Sequence, residues 1–261
     1  LSADGWPDGV GRIILDAVDS TNAEAARRAP ALDRPTWIMA RAQTAARGRR
    51  GRPWATTTGN LAATLVMRPG FGPQAAGLRS FVAALALFDA LVAVTGRAGA
   101  FALKWPNDVL LHGGKLAGIL LEGAGSGGQV SHLAIGIGVN LATAPGADAV
   151  EAGALRPVSL AGETGLRIAP EEFLPHLAAA FAQWDGQLQA MGFAPLRDAF
   201  MARAANVGAV IEARTGSQVI TGRFDSLDET GALILITDHG RRAIAAAEVF
   251  FRQEAGHAAG D

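Results

Sequence analysis

Hydrophobic and polar positions along this 261-residue chain change period several times, and each change marks an element. Residues 11–18 read as a strand running into Asp19-Ser20-Thr21-Asn22, where Thr21 and Glu24 have the T-x-x-E spacing of a capping box. That box predicts a helix to Ala29 and places Ser20, Thr21 and Asn22 at a strand-to-helix turn. Strands are expected at 37–42 and 61–67 with a polar loop between them, and residues 74–95 carry helical spacing under a broad apolar face. Four short apolar runs follow, 101–105, 109–111, 116–122 and 130–139, separated by Asn-Asp, Gly-Gly and Gly-Ser-Gly-Gly. They predict a meander of neighbouring strands. An Ala-, Pro- and Gly-rich stretch then leads to two helices, 170–191 and 195–204, and to short β segments at 207–212, 218–225, 232–236 and 241–249. The result is an α+β chain: a main domain over residues 1–205 and a small barrel over 206–261.

Composition narrows the class. With 49 % hydrophobic and 18 % charged residues and a net charge of −1, the chain has ample material for a core. It has no cysteine, which excludes disulfides, thiolate metal sites and a thiol nucleophile. The most membrane-like stretch, residues 80–96, has Asp89 in its middle and falls short of the roughly 20 apolar residues a span needs, so a buried helix is expected. The opening residues lack the basic flank of a signal peptide, and a cytoplasmic protein without membrane attachment is expected.

Of 23 basic residues only two are lysines, Lys104 and Lys115. In a chain that otherwise uses arginine, these two point to places where a compact ammonium is wanted. Lys104 opens Lys104-Trp105-Pro106-Asn107-Asp108, and Lys115 follows a Gly-Gly turn. The lysines suit phosphate or carboxylate oxygens, and Asp108 suits a magnesium ion or a proton. The polar loop places Arg47, Arg49, Arg50 and Arg52 within six positions, spaced by Gly48 and Gly51. Such a loop fits an anion, and four uncovered guanidiniums predict mobility until one arrives. A solvated basic loop or a nucleic-acid contact would read the same way.

Taken in order, four stretches resemble the biotin protein ligase family over about residues 11–142: Asp19-Ser20-Thr21-Asn22; Gln43 with Arg47-Gly48-Arg49-Arg50-Gly51-Arg52 and Trp54; Lys104-Trp105-Pro106-Asn107-Asp108 with Lys115-Leu116-Ala117-Gly118; and Ile135-Gly136-Ile137-Gly138-Val139-Asn140-Leu141. The resemblance implies a mixed sheet backed by helices, related to class II aminoacyl-tRNA synthetases and lipoate ligases, with an SH3-like C-terminal module. It implies two steps: ATP and Mg²⁺ convert biotin to biotinyl-5′-AMP, and a lysine of the biotin carboxyl carrier protein of acetyl-CoA carboxylase takes the biotin. It further assigns Ser20, Thr21, Asn22, Gln43, Arg47, Gly48, Arg49, Lys115, Gly118 and Gly136 to biotin. Arg49, Arg50, Arg52, Trp54, Asn107, Asn140 and Arg252 fall to the nucleotide. Arg47, Lys104, Asp108 and Lys115 fall to the chemistry, with Asp108 as the magnesium candidate.

Where the family's loop usually begins Gly-Arg-Gly, this chain has Ala46 before Arg47, so a negative φ is expected there. Glu248 and Arg252 fall where the family often places residues reaching back to the nucleotide. Some members also carry an N-terminal winged helix-turn-helix. The first motif here begins at Asp19, so no specific DNA binding is expected. Alternatives are a lipoate ligase of the same fold or a non-catalytic biotin- or RNA-binding module. Exposed sheet edges leave monomer and homodimer both open.

Overall fold

A computed structural model describes residues 5–54, 57–68, 70, 72–146, 150, 153–216 and 218–251. The main sheet is built from β1 (Gly11–Val18), β2 (Thr36–Gln43), β3 (Leu61–Met67), β4 (Phe101–Lys104), β5 (Asp108–Leu111), β6 (Gly114–Ser126) and β7 (Gln129–Val139). Its order is β1-β2-β3-β7-β6-β5-β4. Only β1 and β2 are parallel; helix α1 (Thr21–Arg28) lies in the crossover that such a pair requires.

Alternation along the central strands decides which layer each residue joins. Leu61, Ala63 and Leu65 of β3, with Leu133, Ile135, Ile137 and Val139 of β7, enter the large core under α3 (Arg79–Thr95) and α5 (Pro170–Met191). Trp37 meets Phe181 there edge-on at 5.9 Å. Val66 and Ala134 face the opposite way, against Ala25 and Ala29 of α1. That second face also carries Ala62, Thr64, Gly136 and Gly138, and it is where the site lies.

The single helix expected over 74–95 is two, α2 (Pro73–Gly77) and α3, with a turn at Leu78 between them. By length and composition the span Pro73–Thr95 could cross a membrane, and 61 % of its most apolar window is buried within the protein. Arg79, inside that span, forms a buried ion pair with Asp185 of α5 at 3.0 Å. A short α4 (Leu160–Thr164), capped by Ser159, was not expected from the Ala/Pro/Gly stretch that precedes it. The helix expected over 195–204 is α6 (Ala194–Met201).

The C-terminal unit holds β8 (Val210–Arg214), β9 (Val219–Leu227), β10 (Leu233–Thr237), β11 (Gly240–Ile244) and β12 (Glu248–Phe251), antiparallel in the order β11-β10-β9-β8-β12. The run expected as one strand over 241–249 is divided, since β11 pairs with β10 at one end of the sheet and β12 with β8 at the other. Ile211, Phe224, Leu233 and Val249 join the same continuous core as the main domain. Trp105 fastens the two units by donating Nε1–H to the carbonyl of Gly231 at 3.0 Å.

Candidate active site

The parallel register sets Val18 opposite Gln43, so the turn after β1 meets the end of β2. Thr21 donates its backbone N–H and its hydroxyl to Gln43 Oε1, at 2.7 and 3.2 Å. The predicted capping box does not form: Ser20 occupies the N-cap position without a side-chain cap, and Thr21 is already helical. Arg27 and Arg28 engage Glu24 instead. Ser20, Thr21 and Asn22 are nevertheless all buried. Beside them Asp19 accepts from Arg27 and from the Ser20 N–H, and the Arg27 bond above all holds its carboxyl well below the usual range.

Below these side chains glycines open the face of the sheet. Register aligns Thr64, Gly136 and Leu120 in one row, and Ala62, Gly138 and Gly118 in the next. A Cβ on Gly136 would collide with Asn22 Oδ1, and one on Gly138 would stand 2.7 Å from Trp54 Nε1. The glycines therefore let other groups lie directly on the strand backbone. The cavity above them measures about 660 Å³.

Residues 46–54 form a tight reversal over the slot. Gly48 N–H donates to Arg52 C=O at 2.7 Å, and Trp54 N–H to Ala46 C=O at 3.0 Å. Left-handed backbone occurs within it at Arg50 (φ 58°) and Gly51 (φ 73°) and not at Ala46, as expected for an alanine there. The four arginines are not uncovered cations. Arg47 pairs with Glu122 at 3.2 Å, and Arg50 and Arg52 with Glu248 at 3.3 and 2.5 Å. Arg49 Nη1 donates to Asn107 Oδ1 and Ala247 C=O. Burial, aided by neighbouring Arg50, lowers the Arg49 pKa. Loop and C-terminal sheet thus meet through charge, with Glu248 at the junction.

The second cationic cluster comes from the β4–β5 hairpin, closed by a cis Trp105–Pro106 bond. It pairs Lys104 with Asp108 across the ladder, while β6 brings Lys115 alongside. Asp108 Oδ2 is 3.6 Å from Lys104 Nζ. Its Oδ1 is 2.9 Å from Lys115 Nζ, a charge contact outside hydrogen-bond alignment. Burial pushes the Lys104 pKa down, Lys115 adds to this, and Asp108 opposes it. As a candidate magnesium ligand Asp108 fits poorly, because two ammonium groups already claim its carboxylate. Among the described residues no group of three or more His, Asp or Glu side chains gathers to complete a cation site. Asn107 donates to Ile119 C=O at 2.6 Å. Asn140 is buried at the end of β7; its Nδ2 donates to Val158 C=O, and its Oδ1 has no partner among the described residues.

The same cavity is lined by Ser20, Thr21, Asn22, Gln43, Arg47, Gly48, Arg49, Arg50, Arg52, Trp54, Lys104, Asn107, Asp108, Lys115, Gly118, Gly136 and Asn140. Every site residue expected from the sequence is therefore brought together except Arg252, which lies outside the described residues. Two residues escaped the sequence reading. Thr64, fully buried, donates to Asn22 Oδ1 at 2.7 Å and lies 2.8 Å from Thr21 Oγ1. Glu122 accepts from Asn22 Nδ2 at 2.7 Å as well as from Arg47. A hydroxyl inside an otherwise apolar strand was the available signal for Thr64; Glu122 gave none beyond ending an apolar run.

This fold and this site, a glycine-floored slot with cations gathered at its mouth, define the class of the biotin and lipoate protein ligases. The Biotin/lipoate A/B protein ligase family matches residues 14–140, and the Biotin protein ligase C terminal domain matches residues 209–252. The biotin--[acetyl-CoA-carboxylase] ligase of Paracoccus denitrificans is 58 % identical over 238 residues, 91 % of this chain and 99 % of that protein. The ligase of the same description from Mycobacterium tuberculosis is 34 % identical over 240 residues, 88 % and 84 % of the two chains. Among solved structures, the biotin protein ligase from Aquifex aeolicus in complex with biotin and ATP superposes with a TM-score of 0.77 at 25 % identity, covering 94 % of this chain and 99 % of that one. The chain belongs to the biotin protein ligase family.

Proposed function

We infer that this protein joins biotin to ATP to form biotinyl-5′-AMP and then transfers the biotinyl group to a lysine of the biotin carboxyl carrier protein of acetyl-CoA carboxylase. The observation that carries the reading is that one cavity holds a buried polar end, a floor opened by Gly118, Gly136 and Gly138, and two cationic clusters. The Paracoccus relative, named for this activity and matched over 99 % of its length, supports it.

In the first step an oxygen of the biotin carboxylate attacks the α-phosphorus of ATP, the bond to the bridging oxygen breaks, and pyrophosphate leaves. Two anions must meet, and the barrier falls when fixed cations offset their repulsion. Lys104, Lys115 and Arg47 are the groups placed to do this, with Asp108 holding both ammoniums in position. The Ser20, Thr21 and Gln43 end receives the ureido ring, and Asn140 Oδ1, buried and without a partner among the described residues, is suited to accept from an exocyclic amine of the base. In the second step the carrier's lysine amine attacks the acyl carbon, the C–O bond to AMP breaks, and the amine gives up a proton. Magnesium enters as part of the MgATP substrate, since Asp108 is occupied by lysines. The reaction belongs in the cytoplasm, where ATP and the carrier meet.

Biotin-dependent exchange of labelled pyrophosphate into ATP tests the first step without a carrier, with lipoate as the parallel acid. Exchange with biotin alone, lost by several kcal/mol of barrier in Lys115→Ala, is expected. No exchange with either acid overturns the reading.

A further inference from the structure

Glu122 touches both the polar end of the slot and the arginine loop. Its Oε2 accepts from Asn22 Nδ2 at 2.7 Å, and its two oxygens accept from Arg47 Nε at 3.2 Å and Nη2 at 3.3 Å. Asn22 in turn accepts from the buried Thr64 hydroxyl. An unbroken path therefore runs from the interior of β3, through Asn22 and the side chain of Glu122, to the first guanidinium of the loop.

We propose that Glu122 is a positioning residue that orients Arg47 and couples filling of the biotin slot to seating of the arginine loop. This rests on the biotin ligase reading and deepens it. A guanidinium has five donors in a rigid fork. Glu122 engages Nε and one side of Nη2, which leaves Nη1 to face an oxyanion while the plane of the group stays fixed. The two attachments of Glu122 differ in kind. The Asn22 bond is short and made to a buried partner, whereas the Arg47 pair is exposed on both sides, 42 % and 37 %, and such pairs are weakly held and screened by salt. The loop end can therefore release and reseat while the Asn22 end stays anchored. A biotin ring resting against Thr21 and Asn22 fixes the anchor, and with it the direction in which Arg47 points.

The test is a double-mutant cycle with Glu122→Gln and Arg47→Gln, read by calorimetric biotin binding and by kcat/KM for biotin in pyrophosphate exchange. Glu122→Gln alone is expected to lower kcat/KM for biotin about tenfold, the scale of one charge-assisted hydrogen bond, and to have little further effect when Arg47 is already Gln. Circular dichroism checks the fold of each variant. Should Glu122→Gln fail to fold, Arg47→Lys keeps the charge but loses the fork, and the same drop is expected from it. Additive losses in the cycle, or a normal kcat/KM in Arg47→Lys, overturn the coupling. If the wild type neither binds biotin nor catalyses exchange, the functional reading fails and takes this proposal with it; normal wild-type behaviour with additive variants removes the coupling alone.

Discussion

Trp54 rests on Gly138: a methyl group there would stand 2.7 Å from the indole nitrogen and 2.8 Å from its ring carbon Cε2. Lys115 Nζ is 5.6 Å from the same ring, and Gly118 supports its far edge. The indole is thus part of the slot's wall, seated by the absence of two side chains.

Replacing Gly138 by alanine should therefore displace Trp54 without unfolding β7, since Gly138 does not use left-handed backbone. Pyrophosphate exchange is expected to fall at least tenfold, the order of effect of about an ångström of misplacement at a reacting site. Circular dichroism should show an unchanged fold. Wild-type exchange in Gly138→Ala would mean that the indole's seat does not matter.

The depressed pKa of Lys104 has opposite consequences for activity and for stability. Burial, its main cause, disfavours the ammonium, so the charge is lost as pH rises through a value below the ordinary 10.5. Exchange should show an alkaline limb below that value, and Lys104→Arg should carry whatever activity it retains to higher pH. Stability moves the other way. The cost of holding the buried charge is present in full below the folded pKa and is relieved between that value and 10.5. Alkaline loss of exchange through Lys104 should thus precede any loss of structure, which pH-rate profiles and melting curves taken together can check.

Arg79 and Asp185 bind α3 to α5 with both side chains nearly inaccessible. Asp185 also accepts from Gln189 at 2.6 Å, and Arg79 donates to Ala75 C=O. Removing Asp185 takes the counter-ion from a buried guanidinium, so Asp185→Ala should cost about 3–5 kcal/mol in chemical denaturation. Replacing both, as Arg79→Met with Asp185→Leu, should cost much less. Equal losses in the single and double variants would show that packing, not the orphaned charge, sets the penalty.

The pairing of Arg50 and Arg52 with Glu248 predicts that trypsin cuts this loop slowly until the pairs are broken. Glu248→Ala should speed cleavage after Arg50 several-fold, the Arg52–Pro53 bond being resistant to trypsin, and biotin with ATP should slow it by giving the guanidiniums another anion. Equal cleavage rates in all states, followed by mass spectrometry of the fragments, would refute both statements.

The elements most legible in the sequence were those with strong periodicity and polar punctuation. β3 has the limits its apolar run predicts, 61–67, and the meander from β4 to β7 follows its Asn-Asp and Gly-Gly turns. The break between β11 and β12 was hidden because Ala245, Ala246 and Ala247 carry no turn residue. The capping box failed because a nearby strand end offered a better partner: Thr21 meets Gln43, 22 residues away, rather than its own helix. Gathered motifs revealed the site's membership. Thr64 and Glu122 were not legible for the same physical reason, as their roles depend on strand registers linking residues 42 and 100 positions from Asn22. The resemblance brought Glu248 back towards the site, but its pairing with Arg50 and Arg52 was not legible, since it arrives from the other sheet.

On β7, Leu133, Ile135, Ile137 and Val139 face the core while Ala134, Gly136 and Gly138 face α1 and the slot. Between Leu133 and Val139 the odd-numbered positions therefore govern whether the strand is held, and Gly136 and Gly138 govern what can lie upon it. Volume-conserving exchanges among the odd positions can alter melting behaviour with little change in ligand preference. At Gly136 or Gly138, one added methyl reshapes the binding surface while the core stays intact. Durability and selectivity are thus separately adjustable in this enzyme, although a single 11-residue strand carries both.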